Sequence, residues 1–311
     1  MSSVRVLEGG LCTTIQDLGR RGMLGFGIPA CGVMDVFSAS VANLLMGNSR
    51  DEALLEMFYT GASLEFLKPM HIAIGGADLS PKLNGMAICN WESYAVKPGD
   101  ILSFGGLKMG VCAYVAFSGV LEVPQVHGSK ATFMRAQMGG FLGRKLQKGD
   151  ILPIRAYPGC QKRSLQERYR PLYPSCAHLH AVLAPQDHYF DTQSMECFLH
   201  APYSLSRGDR MGIFLEGPTL SASQGAEMIS EPLALGSIQV LPNGQPLILM
   251  ADRQTVGGYP KIATLTLESV IALAQMRPKN SVHFVPCSVA EAQEKYRAFY
   301  QNLAQIAKSL D

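Results

Sequence analysis

Lys97-Pro98-Gly99-Asp100-Ile101-Leu102-Ser103-Phe104 reads as a tight turn that delivers the chain into a strand. Proline presets the backbone at the corner and glycine supplies a conformation other residues resist. The same reading holds at Lys148-Gly149-Asp150-Ile151-Leu152, a five-residue echo. Around the first turn lie strand-like runs at 4–7, 13–15, 54–59, 62–67, 71–74, 86–95 and 111–117, with a second turn signal at Asn84-Gly85. One helix interrupts them. Asp35 caps it, Phe37, Val41, Leu44 and Leu45 fall at helical spacing, and Gly47-Asn48 stops it.

Residues 157–174 hold three prolines and the polar stretch Gln161-Lys162-Arg163, and read as a linker. Strand-like runs resume at 178–183, 213–215, 237–241 and 247–250, with a helix expected over 192–200. Two helices close the chain. Thr266 caps the first, and the capping box Ser288-Val289-Ala290-Glu291 opens the second. Ala292, Tyr296, Phe299, Leu303 and Ile306 form an apolar stripe along that last helix. Many short strands with few peripheral helices predict a mainly β protein of closed or nearly closed barrels, not a doubly wound sheet. The expected modules are 1–156 and 175–311.

The 311 residues are 47% hydrophobic and 17% charged, an ordinary globular composition. With 27 basic and 25 acidic residues the net charge is +2, which gives no footprint for nucleic acid or an anionic membrane. No apolar stretch approaches the roughly 20 residues of a membrane helix, and the first residues lack the apolar core of a signal peptide. Eight cysteines are scattered without a C-x-x-C pair, as expected of reduced thiols in the cytoplasm.

Four segments mix glycine with charged or amide side chains: 14–35, 128–144, 206–217 and 251–260. Glycine lets a backbone approach a ligand, and arginine can hold an anion with a two-pronged hydrogen bond. The alternative is that these are barrel-rim turns in which Arg–Asp pairs tie loops together. Gly139-Gly140-Phe141-Leu142-Gly143-Arg144 does not match a Walker loop, although a backbone nest at Gly139, Gly140 and Gly143 with Arg144 can accept a phosphate. His178 and His180 share a strand face but lack a third ligand at metal spacing, so no metal is expected. Cys31 reads as inert more readily than as a nucleophile, and Trp91, in a strand pattern, as core or hairpin packing.

The motifs Thr14-Ile15-Gln16-Asp17-Leu18-Gly19-Arg20, Gly32-Val33-Met34-Asp35, Asp209-Arg210-Met211-Gly212, Gly236-Ser237-Ile238-Gln239-Val240 and Asp252-Arg253-Gln254-Thr255-Val256-Gly257-Gly258-Tyr259-Pro260 occur in this order. Together they resemble the family of 5-oxoprolinase C subunits, also known as the PxpC, KipA or allophanate hydrolase subunit 2 type. The resemblance runs from about Val4 to about Phe284. It implies two cyclophilin-like β-barrel modules. It also implies a partner B subunit of the KipI type and an A subunit of the LamB/YcsF type, in a complex that uses ATP to open 5-oxoproline to glutamate. Related domains in urea carboxylase move a carboxyl group from biotin to urea, and some family members act as antagonists of a kinase inhibitor. Both reactions place a planar amide beside an anion. On this resemblance the expected catalytic residues are Asp17, Arg20, Arg210, Asp252, Gln254 and Tyr259. Arg20 and Arg210 would stabilise charge, Asp17 or Asp252 would move a proton or orient an arginine, and Gln254 and Tyr259 would hydrogen-bond the substrate. His127 and Lys130 depart from the family pattern, an aliphatic residue and an arginine being usual there.

Overall fold

The computed structural model describes residues 2–157, 161–222 and 228–310. In it the glycine turn occurs twice with one geometry. Gly99 and Gly149 sit at φ +88° and +92°, where a β-carbon is disfavoured. Asp100 accepts the amide of Lys97 at 2.9 Å, and Asp150 accepts that of Gln147 at 2.7 Å. Each glycine amide then reaches an adjacent strand, Gly99 to the Phe66 carbonyl and Gly149 to the Val6 carbonyl, both at 2.8 Å. The sequence echo is one turn built on two neighbouring strands.

Two compact units make up the chain. The first runs to Arg21, resumes over Cys31–Leu172 and takes in the stretch from Asn302; the second comprises Gly22–Ala30 and Tyr173–Gln301. In the first, seven antiparallel strands lie in the order Gly119–Leu121, Ile151–Ala156, Ser2–Glu8, Ser63–Phe66, Ile101–Phe104, Pro81–Leu83, Met86–Ala87. A second antiparallel sheet is ordered Cys12–Gln16, Leu54–Phe58, Met109–Phe117, Met70–Asp78, Ser93–Val96. Alternate residues of both sheets meet in one core, with Val6, Leu64, Phe66 and Leu152 from the first against Ile15, Leu55, Ile74 and Val115 from the second.

Helix α1 (Val36–Leu45) lies on the strands Met70–Asp78 and Met109–Phe117. Asp35 caps it, accepting the amide of Ser38 at 2.9 Å. Close approach requires Gly75, whose β-carbon would stand 2.6 Å from the Ser38 carbonyl oxygen. The buried carboxylate of Glu56 fixes the segment entering α1, accepting the amide of Met34 at 2.7 Å and the hydroxyl of Tyr114 at 2.8 Å. The Tyr114 oxygen in turn accepts the amide of Asp35 at 2.8 Å. Burial, followed by the nearby Cys112, Glu56 and Asp35, holds the Tyr114 phenol well above its ordinary pKa, so it remains a neutral donor.

The second unit is a closed seven-stranded barrel in the order Cys176–Leu183, Lys261–Leu265, Ser237–Val240, Pro246–Leu249, Gly212–Glu216, Tyr203–Gly208, Ser281–Pro286. A parallel pairing of Cys176–Leu183 with Ser281–Pro286 closes it. Helix α2 (Thr192–His200) stacks Phe198 on Phe284 with ring centres 4.4 Å apart, and α3 (Leu267–Ala274) packs on Cys176–Leu183. The capping box at the start of α4 (Val289–Leu310) is formed: the Ser288 amide donates to Glu291 at 2.7 Å and the Glu291 amide to Ser288 Oγ at 3.2 Å.

The fold is mainly β with peripheral helices, and three details differ from the sequence reading. Trp91 is buried but breaks the expected 86–95 strand, because its backbone is left-handed at φ +69° and its amide turns to the Ile74 carbonyl. The described part of the expected linker from Gln161 to Leu172 belongs to the first unit. Leu165 there is buried and its amide donates to the Trp91 carbonyl at 2.8 Å. Along α4 only Leu303 and Ile306 are fully buried, while Tyr296 is half exposed. Among the described residues no helix is long and apolar enough to cross a membrane.

The second turn carries a pH signature. Arg144 grips Asp150 with two hydrogen bonds of 2.7 and 2.8 Å, which holds the carboxyl below its ordinary value of 3.8. A depressed carboxyl stabilises the fold above its unfolded pKa and loses that contribution as pH falls through its folded one. The pair is partly exposed, so screening limits its worth to about 1 kcal/mol. Asp150→Asn is therefore expected to lower stability by about that amount at pH 7 in urea denaturation. The gap to wild type closes as pH drops below about 4; a gap unchanged from pH 7 to pH 3 would contradict the assignment.

Candidate functional site

Asp17 is the first residue past the strand Cys12–Gln16. Its carboxylate accepts three hydrogen bonds: from the amide of Gly19 at 2.8 Å, the hydroxyl of Ser129 at 2.7 Å and the amide of Lys130 at 2.6 Å. Its carbonyl accepts the amide of Val33 at 2.9 Å. One side chain thus joins two loops that are 112 residues apart. Lys130 Nζ then reaches Glu52 at 2.8 Å, with both side chains largely enclosed at 11% and 19% exposure. Asp17, Glu52, Lys130, Arg21 and His127 are among the residues lining a cavity of about 410 Å³.

Arg20 turns away from solvent and donates through Nη2 to the carbonyl of Ala131. The glycine run that follows serves the chain itself. Gly139, Gly140 and Gly143 all have positive φ, and β-carbons there would collide with Ala131, Thr132 and Gln137. The amides of Gly140 and Gly143 donate to Lys130 and Gly139 carbonyls, each at 2.8 Å. With Arg144 committed to Asp150, this segment as folded offers a nucleotide phosphate neither of those amides nor a free guanidinium.

The other four expected residues belong to the second unit. Arg210 and Asp252 form a buried two-pronged pair at 3.0 and 2.7 Å, and the Asp252 amide returns to the Arg210 carbonyl at 2.7 Å. Asp252 therefore orients an arginine. Gln254 is exposed and Tyr259 half-buried. Both lie beside Gln239, which is fully buried: its amide nitrogen donates to the Tyr259 carbonyl at 3.1 Å, and a β-carbon on Gly257 would stand 3.0 Å from it and 3.1 Å from the Gln254 amide nitrogen. His178 stacks on His283 across the parallel strand pair with ring centres 5.4 Å apart, and Cys31 is buried at φ +55°.

Residues 26–286 match the model of the carboxyltransferase domain, subdomain A and B. The C subunit of 5-oxoprolinase from Escherichia coli K12 is 35% identical over 306 residues, covering 96% of this chain and 97% of that protein. Its namesake from Haemophilus influenzae is 36% identical over 307 residues, covering 96% of each. The chain belongs to the family of 5-oxoprolinase C subunits. The solved urea amidolyase of K. lactis superposes with a TM-score of 0.92 at 27% identity, over 98% of this chain but only 20% of that much longer one.

The family motifs drew attention to Asp17, Arg20, Arg210 and Asp252, and the fold puts all four into specific polar contacts. Glu52 escaped sequence reading: it sits 78 residues from Lys130 and no local pattern marks it. A second cavity of about 830 Å³, bordered by Trp91, Cys89, Lys82, Lys108 and Arg170, contains none of the expected residues.

The Arg210–Asp252 pair can be tested as a structural unit. Asp252→Ala removes the forked partner of a buried guanidinium and is expected to cost about 3 kcal/mol in denaturant unfolding. Arg210→Met combined with Asp252→Leu should regain most of that loss. A single mutant costing less than about 1 kcal/mol would contradict the reading.

Proposed function

We propose that this chain is the C subunit of a cytoplasmic 5-oxoprolinase that uses ATP to open 5-oxo-L-proline to L-glutamate, together with a B subunit of the KipI type and an A subunit of the LamB/YcsF type. Membership in the C-subunit family at 35–36% identity over nearly the full chain supports the assignment. The observation that carries the site is the polar cavity where Lys130, Arg21 and His127 stand around the Asp17 clamp. Ring opening puts negative charge on the lactam oxygen, and cations that line the cavity, the enclosed Lys130 and the exposed Arg21, stabilise such charge. Lys130, held by Glu52, and Arg21 are assigned that task. Asp17 and Asp252 are positioning residues, since their carboxylates already hold amides and Arg210 respectively. The nucleotide is assigned to one of the partners, because Gly140 and Gly143 spend their amides internally.

A second reading, a carboxyltransferase component acting on urea, draws on the likeness to the K. lactis urea amidolyase. Co-expression with the B and A partners separates the two. The expected result is ATP-dependent glutamate release from 5-oxoproline, reduced at least roughly tenfold by Arg21→Ala in an intact complex. Turnover only with urea and a carboxylated biotin carrier would favour the second reading, and a complex silent on both substrates would remove the enzymatic one.

A further inference from the structure

We propose that the cavity of about 830 Å³ in the first unit binds an amphipathic organic anion, its apolar body against Trp91 and its head group at Lys82, Lys108 and Arg170. The volume lies in the range of small-molecule sites, which join apolar wall to a few polar groups. Trp91 and Pro81 supply buried wall, while Met109 and Leu172 stand 41% and 87% exposed on the same cavity. Large apolar side chains gathered in the open around one cavity mark a place where something binds. The charges set the class of ligand. Lys82 is exposed and, among the described residues, forms no ion pair. Lys108 and Arg170 reach Asp78 and Glu92 only at 3.7 and 3.9 Å. Of the two lining acids, Asp78 is engaged, accepting the amide of Ser80 at 2.8 Å and facing Lys108, so Glu167 alone opposes the three cations.

The walls are held in advance. Trp91 is fixed from both sides: its amide donates to the Ile74 carbonyl at 2.7 Å, and its carbonyl accepts the amide of Leu165 at 2.8 Å. The backbone of Trp91 is left-handed at φ +69°, and that of Ser80 at φ +54°. Such conformations cost energy in residues other than glycine and gather where a chain shapes a ligand site. The segment from Gln161 to Leu172 closes one side with Glu167, Arg170 and Leu172. It is tied down as wall, since Leu165 is buried and the Arg163 carbonyl accepts the amide of Ser93 at 2.9 Å. The site is independent of the reaction proposed above.

Trp91 is the single tryptophan of the chain, so its emission reports on this wall. Titrating the full chain with anilinonaphthalene sulfonate, an aromatic body with one anionic group, should quench that emission saturably. Gly106 lines the cavity, and a β-carbon there meets nothing within 4 Å, so Gly106→Leu fills the space without displacing its walls. That variant should bind the probe at least roughly tenfold more weakly. Lys82→Gln combined with Lys108→Gln should weaken the sulfonate by roughly tenfold as well, while uncharged phenylnaphthylamine binds wild type and this double variant alike. Hydrogen exchange places the probe without fluorescence: on saturation the amide of Leu165 should gain roughly threefold protection or more, with that of Val115 unchanged. Absence of saturable quenching, quenching undiminished in Gly106→Leu, or no added protection at Leu165 overturns the site. Equal weakening of both probes by the double variant, or of neither, overturns the anionic ligand.

Discussion

The site in the first unit depends on the carboxylate of Asp17. A charged acceptor leaving water must recover its hydration, and here it does so from two backbone amides and a hydroxyl. Because those donors come from two distant loops, recovering the hydration and closing the site are the same event. Gly19, Ser129 and Lys130 are held together, and Arg20, Arg21 and the Lys130 side chain inherit their places. Glu56 applies the same device beneath α1, where a buried carboxylate and Tyr114 hold the amides of Met34 and Asp35. In both places an acid orders main chain.

Much of the fold was legible because its signals are local. The paired glycine turns, the Asp35 cap, the Ser288–Glu291 box and the span of α2 each depend on residues within a few positions of one another. Trp91 is buried as its residue type suggests, but the strand expected through it was misread, since nothing in Asn90-Trp91-Glu92 announces a left-handed backbone. The site was harder. Glycines at 139, 140 and 143 resemble a phosphate nest in composition, yet their freedom is used to pack against Ala131, Thr132 and Gln137. The sequence suggested that Arg–Asp pairs could tie loops together, and Arg210 with Asp252 does so, but only the fold identifies the partners. Glu52 and Lys130 meet across 78 residues, a separation at which no periodicity operates.

Four arginines of the glycine-rich segments differ in their partners. Arg144 and Arg210 are paired with carboxylates. Arg20 is enclosed and unsatisfied at two of its nitrogens, and Arg21 faces the cavity.

Hydrogen exchange in Asp17→Asn tests most directly whether one carboxylate organises this site. The amides of Gly19 and Lys130 should lose protection together by roughly tenfold or more, with the core amide of Val115 unchanged. Protection retained at both amides would mean that the loops hold themselves, and that Asp17 is not the residue on which the site is built.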